Sequence, residues 1–155
     1  IHLFMMGITR LMRFFPFNGV DPTLAKEFNR ESLEEIENVR DFVVLHYKVT
    51  QRDDTPFWRY CKNMEVPDSL QHRIDLFRKT GHAYQNPGEL FRVDSWTQVL
   101  FGQRVMPEHY HHIAHLMKKE ELVQFFTKMR TGINQQVEKM PLHEDFIQQY
   151  CKADM

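Results

Sequence analysis

Arg52-Asp53-Asp54-Thr55-Pro56-Phe57-Trp58-Arg59-Tyr60 joins two helical patterns through one densely specified corner, and the architecture on either side follows from it. Thr55 and Pro56 spell a helix start: a hydroxyl able to accept from an orphan backbone amide, then a ring that fixes φ where no amide is needed. Asp53 and Asp54 stand where negative charge meets the positive end of that helix. Phe57 and Trp58, the first large apolar side chains after the cap, are expected to be driven under the preceding helix, burying about 150–250 Å² per ring. Two readings of the aspartates stay open, capping and solvated carboxylates on one side and a paired acid and base on the other.

Upstream of the corner, apolar residues recur at three- and four-residue spacing from Ile1 to Phe14 and predict a first helix, ended by Phe15-Pro16-Phe17-Asn18-Gly19. Asp21-Pro22 starts the next. Leu24, Phe28, Ile36, Val39 and Val43, with charges between them, describe one long amphipathic helix or two in tandem to about Thr50. Downstream, a short helix is expected over Pro56 to Asn63, and a second capped by Asp68 and closed at Thr80 by Gly81. His82 to Arg92, broken by Asn86-Pro87-Gly88, is the least regular segment and so the place to look for binding residues. A brief helix over Trp96 to Phe101, a long one from about Lys118 to Met140 and a terminal one after Pro141 complete a mainly α chain with little or no sheet. Residues 1–155 read as a single helical region, a layered subdomain.

Composition narrows the partners. A net charge of −1 and a pI near 6.8 leave no basic face for nucleic acid or an anionic membrane, so both are set aside. Cys61 and Cys151 have no paired spacing and read as reduced thiols of a cytoplasmic protein. No apolar run reaches bilayer length. His109, His111, His112 and His115 invite a zinc reading on a helix begun by Pro107, but Glu108 is the single nearby carboxylate, so no metal site is assigned. His46, on an apolar turn, is expected to be a hydrogen-bonded core histidine rather than a general base.

Phe91 and Trp96, behind the Asn86-Pro87-Gly88 turn, could present an aromatic face to a flat substrate such as an indole, with Glu89 offering a carboxylate to its N–H or to an ammonium; core packing is the competing reading.

Asp41-Phe42-Val43-Val44-Leu45-His46-Tyr47 together with the corner, then Pro67-Asp68-Ser69-Leu70, Arg73-Ile74-Asp75-Leu76-Phe77-Arg78, Glu89-Leu90-Phe91, Trp96 through Gln103, Pro107 and Tyr110-His111 resemble the C-terminal part of the flavin-dependent tryptophan halogenases. The series covers nearly the whole chain, which makes it far more specific than any one short motif. The resemblance implies a C-terminal helical region supplying a wall of the substrate pocket of an enzyme that chlorinates or brominates tryptophan or another indole-type aromatic. It implies reduced FAD and halide in the complete enzyme, a flavin reductase as partner, and substrate contacts from Glu89, Phe91 and Trp96. The flavin-binding module, the catalytic lysine and glutamate and the halide-binding backbone would lie before residue 1, so no catalytic residue is assigned here. Ile1 would approach the flavin by position alone. This segment lacks the family's Tyr-Tyr pair, and Leu90-Phe91 stands where its Phe-Trp pair would fall. The chain opens at Ile1 inside a helix and reads as a cut-off piece, inactive alone and binding no cofactor by itself. Its apolar faces would favour self-association as a homo-oligomer. The alternative from another class is a stand-alone helical interaction module without catalysis.

Overall fold

The computed structural model describes residues 1–151, which fall into two compact units that divide between His111 and His112. The first unit holds α1 (His2–Phe14), α2 (Pro22–Lys48), α3 (Pro56–Asn63), α4 (Asp68–Thr80) and α5 (Val93–Gly102). The second holds a 3-10 turn (His112–Leu116), α6 (Lys119–Glu138) and α7 (His143–Tyr150). No strand occurs among the described residues, in agreement with the mainly α expectation.

Between the two forms left open for the second helix, the structure takes one of 27 residues. It is continuous because neither Gly nor Pro falls between Thr23 and Lys48. Asp21 caps it, its Oδ1 accepting from the Thr23 and Leu24 amides at 2.7 and 3.3 Å, and those donors hold the carboxyl below its ordinary value. Phe42 to Leu45, locally strand-like in composition, is helix.

The two halves of α2 do different work. Its first half meets α1 through a polar seam, where buried Arg10 donates to Glu35 at 2.7 Å, Ser32 at 3.1 Å and Glu31 at 3.3 Å. Its second half supplies Phe42, Leu45 and Val49 to the core, where they meet Leu70, Ile74 and Phe77 of α4, Trp96 and Leu100 of α5, and Val105. Asp41, also buried, accepts from Ser69 at 2.5 Å and from Arg40 at 2.8 Å, which fastens α4 beside α2.

At the corner, Thr55 Oγ1 accepts from the Trp58 amide at 3.4 Å, and α3 has the expected bounds. The aromatic expectation needs correction. Phe57 is 54% exposed and Trp58 only half-buried, so no deep burial closes the turn. Polar ties do it instead: Arg52 grips Asp54 through Nε and Nη2 at 3.1 and 2.8 Å, and Arg59 donates to the Asp53 carbonyl at 2.6 Å. Asp54 is therefore an ion-pair partner, its carboxyl held below the usual value first by the Arg52 hydrogen bonds.

Asp68 does not cap α4; Pro67 occupies the cap, and Asp68 lies in the first turn, where its charge faces the helix's positive end. Gly81 ends α4 as expected, at φ +69°, with its amide bonded to the Phe77 carbonyl at 2.8 Å. A Cβ there would sit 3.5 Å from the His109 carbonyl oxygen and from Pro107, ordinary contact, so the cost of a side chain is conformational. Gly81→Ala is expected to destabilise by about 1–2 kcal/mol, checked by chemical denaturation.

In the second unit, α6 starts with Glu121 accepting from the Lys118 amide at 3.2 Å. Its apolar stripe, including Phe126, Met129, Ile133 and Val137, is exposed along its length. On the first unit, Phe4, Ile8 and Met12 of α1 are likewise exposed.

Candidate functional site

The irregular segment after α4 is pinned to the body of the first unit by one cation. Arg73, buried on α4, donates through Nη2 to Glu89 and through Nη1 to the Tyr84 carbonyl at 3.3 Å. Its guanidinium lies between two rings, 4.3 Å from the centroid of Tyr84 and 4.4 Å from that of Trp96. Asn86 Nδ2 donates to the same Glu89 oxygen at 2.7 Å, and Gln85 Nε2 donates to the Glu89 carbonyl at 2.9 Å. Asn86-Pro87-Gly88 is thus folded back onto its own carboxylate, with Gly88 taking the positive φ of 85° that the reversal requires. Glu89 Oε2 and Trp96 Nε1 are buried and find no hydrogen-bond partner among the described residues.

The structure brings Glu89, Phe91 and Trp96 together, but mostly inward. Trp96 is 3% exposed and meets Phe42 edge-on at 5.0 Å. Phe91 stacks on Phe42 at 3.8 Å with an interplanar angle of 20°, and keeps part of its surface outside. The cavity next to Trp96, lined also by His82, Tyr84 and Leu100, is about 10 Å³ and admits no bicyclic ring. Ile1 is fully exposed at the head of α1.

A second feature escaped the sequence reading. Between the end of α2 and the corner lies an open cleft of about 550 Å³, lined by Val43, His46, Tyr47, Arg52, Trp58 and Gln103. Tyr47 stacks on Trp58 at 6.0 Å, and the Arg52 guanidinium covers the Trp58 ring at 4.5 Å. His46 donates from Nδ1 to the Phe42 carbonyl at 2.8 Å, as a hydrogen-bonded histidine should, yet it stands exposed rather than in the core. Helical spacing places Val43, His46 and Tyr47 on one face of α2; only the corner's return brings Trp58 to that face.

The histidine series forms no shared helical face. His109 and His111 precede the 3-10 turn that holds His112 and His115, and no group of three metal-ligating side chains gathers among the described residues. Cys61 is buried, Cys151 exposed, and both are free thiols. No described helix is long and apolar enough to cross a membrane.

Residues 1–119 match the family model for tryptophan halogenase, more than half of the chain. The chain belongs to the tryptophan halogenase family. Among relatives of this halogenase region, tryptophan 7-halogenase RebH of Lentzea aerocolonigenes is 34% identical over 87 residues, 56% of this chain and 16% of that protein. Tryptophan 7-halogenase KtzQ of a Kutzneria strain is 31% identical over 119 residues, 66% of this chain and 22% of its own. Xcc4156, a flavin-dependent halogenase from Xanthomonas campestris, superposes with a TM-score of 0.93 at 45% identity, covering 99% of this chain and 31% of that one. BrvH, a flavin-dependent halogenase from Brevundimonas, gives a TM-score of 0.88 at 34% identity over 92% of this chain and 29% of its own. The chain therefore spans less than a third of the halogenases it matches.

The family implies FAD, but the residues of this halogenase region do not fit a dinucleotide cradle. Such a cradle needs a strand, a glycine-rich turn and a helix N-terminus free to take phosphate. No strand is present among the described residues, and the helix start nearest a left-handed glycine, α2 after Gly19, is already filled by the Asp21 carboxylate.

Proposed function

We propose that the chain is the C-terminal substrate-pocket region of a flavin-dependent halogenase that chlorinates or brominates tryptophan or another indole-type aromatic. The observation that carries this reading is the match of residues 1–119 to the family, joined to the superposition on Xcc4156 over 99% of the chain. In this reading reduced FAD, supplied by a separate flavin reductase, and halide are handled by the part of the enzyme outside these residues, and the chain alone is inactive. Phe91, partly open and backed by Phe42, offers the aromatic surface of the wall. Trp96 supports it from the core, and Glu89 fastens the turn that presents it. Ile1, apolar and exposed, would give the flavin region van der Waals contact only.

The exposed apolar stripes on α1 and α6 favour an association surface, which is also what a stand-alone interaction module would show. With less than a third of each matched halogenase spanned, the remainder of the same enzyme is the simplest occupant for them.

The test is product formation. The complete protein, given reduced FAD, oxygen, bromide and indole, is expected to yield brominated indole, recognised in the mass spectrum by the paired bromine isotopes. Unmodified indole from a folded, flavin-loaded protein would overturn the reading.

A further inference from the structure

We propose that the end of α2 and the corner together form a binding site for a nucleoside diphosphate, with its base against Tyr47 and Trp58 and its phosphates among Lys62, Arg78 and Arg104. Two clefts of different chemistry adjoin there. The aromatic cleft of about 550 Å³ shares Thr50 and Gln51 with a second of about 670 Å³, lined by Lys48, Lys62, Arg78, Arg104 and a single carboxylate, Glu108. Each falls within the range of about 300–1,000 Å³ that small-ligand sites occupy. The chain's net charge is −1, so four bases in one hollow are a local concentration that the overall balance conceals. Glu108 does not neutralise them, because Lys79 already donates to both its oxygens, at 2.9 and 2.7 Å. Lys62 and Arg104 have no carboxylate partner among the described residues, and Arg78 has Asp75 only at 3.7 Å. Lys48, Lys62 and Arg78 stand in the last turns of α2, α3 and α4, where the negative ends of helices favour a base without any ligand. Three such ends amount to about 1.5 negative charges, fewer than the four cations of the lining. Arg104 exceeds even this account. It follows the end of α5 at φ +60°, the left-handed position that ordinarily goes to glycine, and the amides of Arg104 and Val105 close the helix at 2.9 Å each. The backbone there gains nothing from a side chain, whereas the cleft gains a cation.

Both halves also carry neutral hydrogen-bonding groups. Thr50, 4% exposed and lining both clefts, accepts from the Arg52 amide at 3.2 Å and keeps its O–H to donate. His46 spends Nδ1 on the Phe42 carbonyl, which leaves Nε2 as an acceptor for the amino group of a base. A flat ring bearing N–H groups and a multiply charged phosphate tail matches both halves, whereas a plain aromatic or a bare anion matches one. The phosphates are met by side chains, not by the glycine-rich turn of a dinucleotide cradle.

Calorimetric titration of the complete, flavin-loaded protein with ADP, inorganic pyrophosphate and adenosine, at constant ionic strength, tests the site. ADP is expected to bind at least about tenfold more tightly than pyrophosphate or adenosine, and to do so without releasing flavin. In R104G, where glycine suits the backbone and Tm is expected to hold or rise, affinity for ADP and pyrophosphate is expected to fall about tenfold, the worth of one charge-assisted hydrogen bond, with adenosine unchanged. Y47S is expected to weaken ADP and adenosine and to leave pyrophosphate as it was. No binding of ADP, unaltered affinity for it in R104G, or displacement of flavin by it would each overturn the proposal. Equal affinity for pyrophosphate and ADP would reduce the site to one for a bare anion and overturn the nucleotide assignment. None of these outcomes touches the halogenase reading, which product formation decides separately.

Discussion

Arg73→Met is expected to lower the stability of the first unit by about 3–5 kcal/mol, the range for removing one partner of a buried ion pair. Methionine keeps the volume of the aliphatic stem; what is lost is the charge, with the guanidinium that lies over the Tyr84 and Trp96 rings. Glu89, with its side chain 2% exposed, then keeps only the Asn86 hydrogen bond, and the Tyr84 carbonyl loses its donor at 3.3 Å. Two cation–π contacts go with it. A thermal or urea denaturation series reads the effect directly. A change below about 1 kcal/mol would mean that the pair behaves like a solvated surface bridge.

Phe77→Ala is the second large effect, expected to cost about 3–5 kcal/mol by deleting a ring in a core that cannot collapse around the gap. Phe77 has no exposed surface, lies within the single buried cluster of the first unit and meets the Phe101 ring edge-on at 5.2 Å. The neighbours that could fill the space, Leu70, Ile74 and Leu100, are held on α4 and α5 with almost no exposure of their own. Phe77→Leu should cost markedly less, because most of the volume remains. Equal losses for the two variants in a denaturation series would point to a specific ring contact in place of a cavity.

These two residues show what was legible in the sequence. Phe77 could be assigned to the core from its spacing, since Leu70, Ile74 and Phe77 recur on one face of a helix closed by Gly81. The caps at Asp21 and Thr55 and the bounds of α3 were equally local, each fixed by residues within a turn of one another. The family, too, could be read from motif spacing, and the match over residues 1–119 agrees. Arg73 was a different matter. It appeared only as one letter of a motif, because its partner lies 16 positions away across an irregular segment and no periodicity links them. Phe42 and Phe91 are farther apart still, yet they stack at 3.8 Å. Phe57 failed in the opposite sense. Being the first aromatic after a cap says where a side chain starts, and whether it ends buried depends on what other elements cover it; in this structure it stays 54% exposed beside Tyr47 and Trp58.

The substrate-facing expectation for Glu89, Phe91 and Trp96 combined two things that the sequence could not separate. The three do gather behind the Asn86-Pro87-Gly88 turn, Phe91 stacked on Phe42, and Glu89 bonded to the Arg73 that lies over the Trp96 ring. Where the Glu89 carboxylate goes depends on Arg73, a partner that no periodicity links to it and that holds it with its side chain 2% exposed.

A double-mutant cycle on Arg73→Met and Glu89→Gln tests that central point most directly, read as unfolding free energies of the parent, the two single variants and the pair. If Glu89 is held by Arg73, the double variant costs less than the sum of the singles, by a coupling of about 1–3 kcal/mol. Strictly additive losses would show two residues with separate structural roles and contradict the account.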